Sequence, residues 1–297
     1  MQNNIFEVLK KELPGIKKNV ELKRYTTFNI GGPAEYFFTA CNKEDVVKAI
    51  TIARTLNLPV FIFGGGSNVV FADKGFKGLV IWMQDGGNIT LKKTEGGGMV
   101  TAFAGLDLGK LVDFSMENSL QGLEWAGGLP GSFGGAIRGN AGAFGGEIKD
   151  SICEVEALNT NLELKVCDNK ACKFSYRSSI FKERSWIILS ASVKLKLGDN
   201  KAIKEIAESR RAYRKKNHPL EYPSAGSIFK NIPVENIPKK IMELFREKVK
   251  QDPFPIVPAA WFIIAAGLSE AKVGKAHISK KHSNYVVNTG GATAKEV

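Results

Sequence analysis

A stretch of small and polar residues at positions 221–231 is the strongest candidate for chemistry in this chain. It reads Glu-Tyr-Pro-Ser-Ala-Gly-Ser-Ile-Phe-Lys-Asn. Small residues let a ligand approach the backbone. The hydroxyl of Ser227, the cation of Lys230 and the amide of Asn231 can all donate hydrogen bonds to an oxyanion or a phosphate. The pattern predicts a tight turn around Gly226 and Ser227, although taken alone it also fits the cap of a helix.

Two glycine-rich segments precede this stretch and are candidates for binding a phosphate. Glycine permits positive φ and leaves successive backbone N–H groups accessible, which suits a pyrophosphate. Neither segment has the spacing of a Rossmann or P-loop motif, and a hairpin turn or a structural loop is the alternative for each. The candidate residues are Gly64, Gly65, Gly66, Ser67 and Asn68 in the first segment, and Gly128, Pro130, Gly131, Ser132, Gly135, Asn140, Ala141 and Gly142 in the second.

Together with Tyr-Arg-Ser-Ser-Ile-Phe-Lys at 176–182, these segments form an ordered set. The set resembles the UDP-N-acetylenolpyruvoylglucosamine reductase (UDP-N-acetylmuramate dehydrogenase) family, flavoenzymes of peptidoglycan precursor synthesis. The resemblance runs from about residue 25 to the end of the chain and includes the segments 25–34, 140–147 and 282–288. Each motif alone is weak evidence, whereas all of them in the family's order are specific.

The resemblance implies an α+β fold with a two-part FAD-binding domain of the PCMH (vanillyl-alcohol-oxidase) type and a smaller α+β substrate-binding domain. We expect an N-terminal helix at residues 1–24. The FAD-binding domain is expected at 25–199, split near residue 75, and the substrate-binding domain at 200–297. In the family the first glycine-rich segment binds the FAD diphosphate, and the second lines FAD from the ribityl chain to the isoalloxazine. The resemblance also assigns Arg214 to the flavin phosphate, and a charged helix face is its alternative.

The resemblance further implies NADPH-dependent reduction of UDP-N-acetylenolpyruvoylglucosamine to UDP-N-acetylmuramate. Hydride attack on the methylene carbon of the enolpyruvyl ether builds negative charge on the carboxylate side, and a fixed guanidinium stabilises such charge. The resemblance gives this role to Arg177, whose alternative is an ordinary surface arginine. Ser227 is implied as the proton donor to the adjacent carbon. Tyr176, Lys230 and Asn231 are implied to bind the substrate.

Family members carry a further helix and strand beyond the segment 290–294, and a Glu in that extension supports the reaction. The sequence ends at Val297, and Glu296 falls before the position of that helix. We therefore do not assign the catalytic Glu to this chain. Our expectation is a substrate-binding domain truncated at its C-terminus, or an enzyme that binds FAD and turns over poorly.

Composition predicts a cytoplasmic protein and gives no sign of a metal site. The chain has 297 residues, of which 43% are hydrophobic, enough for a substantial core. No apolar run reaches the roughly 18 residues of a membrane span, and the N-terminus lacks the apolar segment of a signal peptide. The four cysteines include no CxxC pair, which predicts reduced thiols, and the three histidines show no zinc spacing. We expect a monomer.

The positive charge is concentrated near the C-terminus. The net charge is +12, and residues 201–297 hold 18 Lys and Arg against 9 Asp and Glu, so nine of the twelve charges lie there. This excess favours anionic ligands. A nucleic acid is one candidate, but no zinc-finger, KH or RRM motif supports it, and a sugar nucleotide is preferred. Two alternatives stay open: another FAD-dependent oxidoreductase on the same scaffold, such as an oxidase, and an impaired, non-enzymatic anion binder.

Hydrophobic periodicity predicts the main elements. Asn42 is a predicted N-cap because Glu and Asp follow it within three residues. The run 59–63 is expected to complete a β-α-β unit that leads into the first glycine-rich segment. The predicted helices cover 5–18, 43–57, 108–118 and 201–216, and the predicted strands include 36–38, 59–63, 78–82, 99–103, 152–159, 186–197 and 285–288.

Overall fold

The first part of the chain builds a mixed four-stranded sheet with two helices. The computed structural model describes residues 2–297. The elements of this part are α1 (Gln2–Glu12), β1 (Lys17–Glu21), β2 (Pro33–Ala40), α2 (Lys43–Thr55), β3 (Val60–Phe63) and β4 (Phe76–Met83). The strand order is β1-β2-β4-β3. β1 is antiparallel to β2, whereas β2 and β3 both run parallel to β4.

The predicted helix at 5–18 is wrong beyond Glu12. Pro14 has no N–H to continue a helical ladder, and Gly15 has a φ of 90°, which glycine adopts without steric cost. Residues 17–21 then pair with β2 instead of continuing the helix. The N-terminal segment therefore consists of a helix and an edge strand of the first sheet, while the domain boundaries themselves stay a prediction.

The prediction for α2 is confirmed together with its cap. The Asn42 side chain accepts a hydrogen bond from the backbone N–H of Asp45 at 2.8 Å. The buried face of the helix, which includes Val46 and Ile50, packs into the main core. β3 also forms where the apolar run predicts it, but it does not pair with β2. β4 lies between the two strands, so the β-α-β unit closes around a strand that comes later in the sequence.

The second part of the chain is an antiparallel sheet with three helices. Its elements are β5 (Ile89–Thr94), β6 (Gly97–Phe103), α3 (Leu108–Glu117), β7 (Leu120–Gln121), α4 (Phe133–Arg138), β8 (Gly142–Ala143), β9 (Gly146–Glu147), β10 (Ile152–Leu158), β11 (Leu164–Asp168), α5 (Ile180–Glu183) and β12 (Ile187–Leu197). The sheet order is β11-β10-β12-β6-β5, and β7 pairs with β12. The main core lies between this sheet, α2, α3 and α4.

The last part of the chain begins with a long helix and ends in a small antiparallel sheet. Its elements are α6 (Asn200–Asn217), β13 (Ser224–Ser227), β14 (Ile232–Pro233), α7 (Lys239–Met242), β15 (Ile256–Val257), α8 (Ala259–Ala265), β16 (Lys272–Val273), β17 (Ala276–Ile278) and β18 (Tyr285–Asn288). The main sheet has the order β13-β18-β17-β16. The predicted tight turn at 224–227 is instead a strand with a bulge, where Gly226 has a φ of 77°.

Residues 26–30 attach this small sheet to the rest of the molecule. Phe28 is fully buried and packs in a cluster with Ala225. The backbone N–H of Ser224 donates to the carbonyl of Thr27 at 3.1 Å, and the Asn288 side chain donates to the carbonyl of Phe28 at 3.1 Å. The strand that carries Ser227 is therefore fixed directly to the segment just before β2.

None of the helices within residues 2–297 combines the length and the apolarity that a membrane crossing requires. Over the same residues, no group of three or more His, Cys, Asp or Glu side chains is arranged to hold a metal ion.

Candidate active site

The two glycine-rich segments lie against each other, backbone to backbone. A Cβ atom on Gly65 would come within 2.7 Å of the Cα of Gly131, and one on Gly64 within 2.2 Å of the Ser132 hydroxyl. The Ser67 hydroxyl donates to the carbonyl of Pro130 at 3.3 Å. Only glycine permits so close an approach. We call these two segments, residues 64–68 and 127–135, the glycine cradle.

α6 closes one side of the glycine cradle with Arg214. This side chain is buried, and its Nε donates to the carbonyl of Gly127 at 3.1 Å. Burial lowers the pKa of Arg214, and no carboxylate among residues 2–297 forms an ion pair with it. The Nε of Arg210, one turn earlier on the helix, is buried without a hydrogen-bond partner. An anion bound on this side of the cradle could therefore accept hydrogen bonds from two guanidinium groups that have no carboxylate partner within the described residues.

Asn140 anchors the loop that follows α4. It is fully buried with a φ of 41°, a conformation that Asn tolerates better than most residues. Its Nδ2 donates to the carbonyl of Ser175 at 3.0 Å and to the Glu147 carboxylate at 3.2 Å, while its Oδ1 accepts from the backbone N–H of Lys149 at 3.3 Å. Asn140 therefore ties this loop to the segment that carries Arg177.

The guanidinium of Arg177 is held by the same loop. Its two terminal nitrogens donate to the carbonyl of Asn140 at 3.2 Å and to the carbonyl of Gly142 at 2.6 Å. Arg177 itself has a φ of 54°, which is uncommon for a residue with a long side chain. No acidic side chain of residues 2–297 forms an ion pair with this guanidinium, so its charge stays available to a ligand.

Arg177 lines a cavity of about 200 Å³ between the second and the last part of the chain. Tyr176 and Gly142 line it from one side and Asn231 from the other. The ring of Tyr176 meets that of Phe254 edge to face, with the centroids 5.1 Å apart. The structure thus brings together four of the predicted site residues, which come from three separate segments of the sequence. The full lining is Gly142, Ala143, Phe144, Gly146, Glu147, Tyr176, Arg177, Asn231, Lys250, Asp252, Pro253 and Ile256.

Ser227 and Lys230 do not line this cavity. Ser227 is the exposed last residue of β13 and lies opposite Tyr285 of β18. The preceding residue, Gly226, faces the first glycine segment, because a Cβ on it would lie 3.9 Å from the carbonyl oxygen of Ser67. Ser227 is therefore placed next to the glycine cradle rather than inside the cavity of Arg177.

Comparison with known proteins accounts for most of the chain. Residues 34–168 match the family described as FAD binding domain, and residues 218–297 match the C-terminal domain of UDP-N-acetylenolpyruvoylglucosamine reductase. The reductase of Caldanaerobacter subterraneus subsp. tengcongensis is 36% identical over 94% of this chain and 84% of its own length. The reductase of Lachnoclostridium phytofermentans is 35% identical over 100% of this chain and 90% of its own length. The chain belongs to the UDP-N-acetylenolpyruvoylglucosamine reductase family.

Solved structures agree with this family and fold. The Thermus caldophilus enzyme of the family superposes with a TM-score of 0.72 at 29% identity, covering 95% of this chain and 91% of that one. A glucose dehydrogenase, Phl p 4.0202, shares the fold alone, with a TM-score of 0.52 at 14% identity over 66% of this chain and 44% of that one. The predicted fold class is confirmed: a two-domain α+β protein with an FAD-binding domain of the PCMH type.

The structure also reveals a cluster that sequence reasoning missed. The Tyr285 hydroxyl and Nδ1 of His218 share a hydrogen bond of 3.1 Å, and the rings of His218 and His282 lie 5.6 Å apart. The pKa of His218 is lowered to about 4, mainly because the ring is buried and to a smaller extent because of the positive charge of Arg214. Burial lowers the pKa of His282 and raises that of Tyr285. The only local signal was the spacing of His282 and Tyr285, because His218 lies far away in the sequence.

Asn284 lies in the segment 282–288 that carries the family resemblance, and the sequence predicts no role for it. It is buried and forms two side-chain hydrogen bonds to the loop after β13. Its Oδ1 accepts from the backbone N–H of Phe229 at 3.0 Å, and its Nδ2 donates to the carbonyl of Phe229 at 2.9 Å. Its own carbonyl accepts from the N–H of Ile228 at 2.9 Å. Asn284 therefore fixes the backbone between Ser227 and Lys230.

Proposed function

We propose that this chain reduces UDP-N-acetylenolpyruvoylglucosamine to UDP-N-acetylmuramate with NADPH as the reductant and FAD as the cofactor. The observation that carries the proposal is the position of Arg177. Its guanidinium is fixed by two backbone carbonyls, has no ion-pair partner among the described residues, and lines the cavity that Asn231 also lines. Such a site favours a small substrate that carries a carboxylate.

The residues of the glycine cradle fit FAD. Gly64 and Gly65 pack directly against the second segment and leave no room for side chains between the two loops, and the backbone N–H groups of glycine loops of this kind can bind a diphosphate. Arg214 and Arg210 lie at its side as cations without carboxylate partners, and Nε of Arg210 has no hydrogen-bond acceptor. We propose that the remaining predicted cofactor-binding residues, from Ser67 to Gly142, also contact FAD. FAD, when bound, carries two electrons from NADPH to the substrate.

Arg177 would stabilise the charge that develops during reduction. As the methylene carbon of the enolpyruvyl group is reduced, negative charge accumulates on the carboxylate side. The guanidinium is already oriented by Asn140 and Gly142, so it needs no reorganisation in the transition state. A preorganised donor of this kind contributes about 3–4 kcal/mol. We propose that three further residues orient the rest of the substrate: Tyr176, Asn231 and Lys230, which lies outside the cavity next to Asn231 in the sequence.

Ser227 would deliver the proton to the adjacent carbon. A serine hydroxyl is a weak acid at neutral pH, so it can protonate only a strongly basic carbon that is held close to it. Two features fix its position: the cross-strand pairing with Tyr285 and the bracketing of the following loop by Asn284. The Ser227 side chain is exposed and thus accessible to a substrate that lies between the glycine cradle and the cavity.

We further propose that the substrate cavity is lined by residues of a single chain and that the protein acts in the cytoplasm. Arg177 and Asn231 reach the same cavity from distant parts of a single chain, so no second copy is needed to assemble it. The proposed ligands, a sugar nucleotide and NADPH, are molecules of the cell interior.

An assay of NADPH consumption tests the proposed function. Purified protein with bound FAD should oxidise NADPH only when the enolpyruvyl sugar nucleotide is present, and one molecule of product should form for each NADPH consumed. Oxygen consumption measured in parallel distinguishes the main alternative, an oxidase on the same scaffold. NADPH oxidation that follows oxygen rather than the sugar nucleotide would contradict the proposal.

A further inference from the structure

Ser227 lies beside a group of aromatic side chains that the mechanism above does not use. β13 and β18 are antiparallel, and Ser227 lies directly opposite Tyr285 in their register. Residues opposite each other in such a pair have their Cβ atoms about 4.5–5.5 Å apart and their side chains on the same face of the sheet. The Ser227 side chain is exposed, whereas Tyr285 is buried. Tyr285 is therefore the neighbour of Ser227 on the side away from solvent.

His218 contacts the hydroxyl of Tyr285 from a different element. It follows directly after α6, and its Nδ1 lies 3.1 Å from the Tyr285 hydroxyl oxygen. The centroids of the two rings are 5.3 Å apart. Burial, with smaller contributions from neighbouring positive charges, lowers the pKa of His218 to about 4, so the imidazole is neutral at neutral pH. A neutral imidazole carries one N–H and can donate it to the hydroxyl.

The packing of three segments fixes this pair. The ring of His282, in the loop before β18, lies 5.6 Å from that of His218 and 4.9 Å from that of Tyr285. The ammonium of Lys281 donates to the carbonyl of Lys215 at 3.2 Å, which joins the same loop to the last turn of α6. The end of α6 is thus held against β18, and His218 is held against Tyr285.

Proton donation by Ser227 produces an alkoxide that needs stabilisation. A serine hydroxyl is a much weaker acid than a phenol, whose ordinary pKa is about 10. Hydrogen bonds donated to an anion are stronger than those between neutral groups, and the Tyr285 hydroxyl is placed to donate one to Oγ of Ser227. Burial raises the pKa of Tyr285, and the Ser227 hydroxyl and the charge of Arg214 offset part of that rise. The phenol therefore keeps its proton until the alkoxide forms.

We propose that His218 and Tyr285 form a hydrogen-bond relay that positions Ser227 and supports its proton transfer, an inference that rests on the proposed function. The Oγ–H bond of Ser227 breaks as the new C–H bond forms on the substrate. The proton of Tyr285 then moves to Oγ, and the negative charge passes to the phenolate oxygen, to which Nδ1–H of His218 donates. After the product leaves, a proton from solvent neutralises the phenolate through the exposed Ser227. Both residues act through Ser227 and are positioning residues.

Anaerobic stopped-flow measurements of flavin reoxidation test the relay. The FAD-loaded protein is reduced with NADPH and then mixed with the enolpyruvyl sugar nucleotide. Tyr285→Phe removes only the hydroxyl, and His218→Leu breaks the relay on a different element. His218→Asn is the conservative variant, because an amide offers both a donor and an acceptor. Tyr213→Phe is the matched control: its ring also packs on His218, at 6.3 Å, but it is exposed and belongs to α6. FAD content and melting temperature verify the fold of each variant.

We expect the two relay variants to slow only the second half of the reaction. Reoxidation should slow about tenfold to a hundredfold in Tyr285→Phe and about tenfold in His218→Leu, the effect of losing a hydrogen bond to a charged group. Flavin reduction by NADPH should be unchanged in both, because it takes no proton from Ser227. His218→Asn should recover most of the rate, and Tyr213→Phe should keep all of it.

The double variant Ser227→Ala/Tyr285→Phe separates a relay from a structural role. Because the relay acts only through Ser227, the double variant should be no slower than Ser227→Ala alone. Additive losses, equal slowing in Tyr213→Phe, or a rate for Tyr285→Phe within about twofold of the unaltered protein would overturn the inference. Each of these results leaves the proposed function standing, provided that the sugar nucleotide reoxidises the unaltered protein. If it does not, the proposed function fails and the inference fails with it.

Discussion

The glycine cradle and the segment 224–231 are adjacent, yet they are built on opposite principles. In the cradle the site is the backbone itself, because Gly65 and Gly131 touch where any side chain would clash. In the segment 224–231 the site consists of side chains, Ser227, Lys230 and Asn231, on a bulged strand and an exposed loop. The cradle should therefore be sensitive to added volume, and the other segment to the loss of a functional group.

The surroundings of the two sites differ in the same way. The cradle belongs to the part of the molecule with the large, continuous core, whereas the part beyond residue 217 has only small clusters of buried side chains. Close packing makes an added atom costly. A site on a lightly packed loop tolerates substitution structurally, so the loss there is chemical. The predictions below separate these two kinds of loss.

The largest effect is expected from Ser227→Ala. Flavin reduction by NADPH should stay close to that of the unchanged protein, because Ser227 lies outside the glycine cradle. Flavin reoxidation by the enolpyruvyl sugar nucleotide should slow about 10²–10⁴-fold, the usual contribution of positioned proton transfer. Stopped-flow absorbance resolves the two steps, and FAD content serves as the control. Equal slowing of both steps would mean that Ser227 has a structural role.

Arg177→Met is expected to have the next largest effect. It removes the charge from the cavity and also the hydrogen bonds to the carbonyls of Asn140 and Gly142. Reoxidation by the sugar nucleotide should slow about 10²–10³-fold, the cost of one preorganised donor. Arg177→Lys keeps the charge but loses the planar fork, so it should recover only part of the rate. Full activity of Arg177→Met would remove Arg177 from the mechanism.

Gly65→Ala is the matching test on the glycine cradle. Its new Cβ would lie 2.7 Å from the Cα of Gly131, and overpacking of this kind costs roughly 1–3 kcal/mol. We expect FAD affinity to fall about tenfold or more, seen as a lower flavin-to-protein absorbance ratio. Gly139→Ala is the control, because its nearest neighbour would lie at 3.6 Å and its φ is negative. Equal flavin content in both variants would show that the cradle does not bind FAD through its backbone.

The smallest effect concerns the pH dependence of stability. The folded-state pKa of His218 is lowered from 6.5 to about 4, so the unfolded chain binds more protons between these values, and stability falls as the pH decreases from 6.5 to 4. His218→Asn, which keeps an acceptor for Tyr285, should flatten the decline in melting temperature over this range. A residual slope is expected from His282. An unchanged slope would show that His218 is not buried as a neutral group.

Local signals predicted the elements near the site better than their arrangement. The N-cap Asn42 and the strand before Gly64 were readable because both depend on neighbouring residues. The insertion of β4 between β2 and β3 was not, since hydrophobic periodicity carries no strand order. The end of the first helix at Pro14 and Gly15 was readable in principle, yet the charged, helix-like pattern around it led to the wrong prediction.

The site shows the same limit. Arg177, Tyr176 and Asn231 were predicted from motifs, and the structure places them in one cavity. Lys250 and Asp252 line that cavity as well, but no local pattern distinguishes them from other surface charges. The contact of His218 with Tyr285 depends on the packing of α6 against the last sheet, which a single sequence does not encode locally. The predicted roles of the site residues await the experiments above.

The central claim is that electrons received at the glycine cradle are delivered to an enolpyruvyl group held at Arg177. Anaerobic double mixing of the unaltered protein tests it most directly. NADPH should bleach the visible absorbance of the flavin, and subsequent addition of UDP-N-acetylenolpyruvoylglucosamine without oxygen should restore it fully as the muramate product forms. Absorbance that returns only when oxygen is admitted would contradict the account.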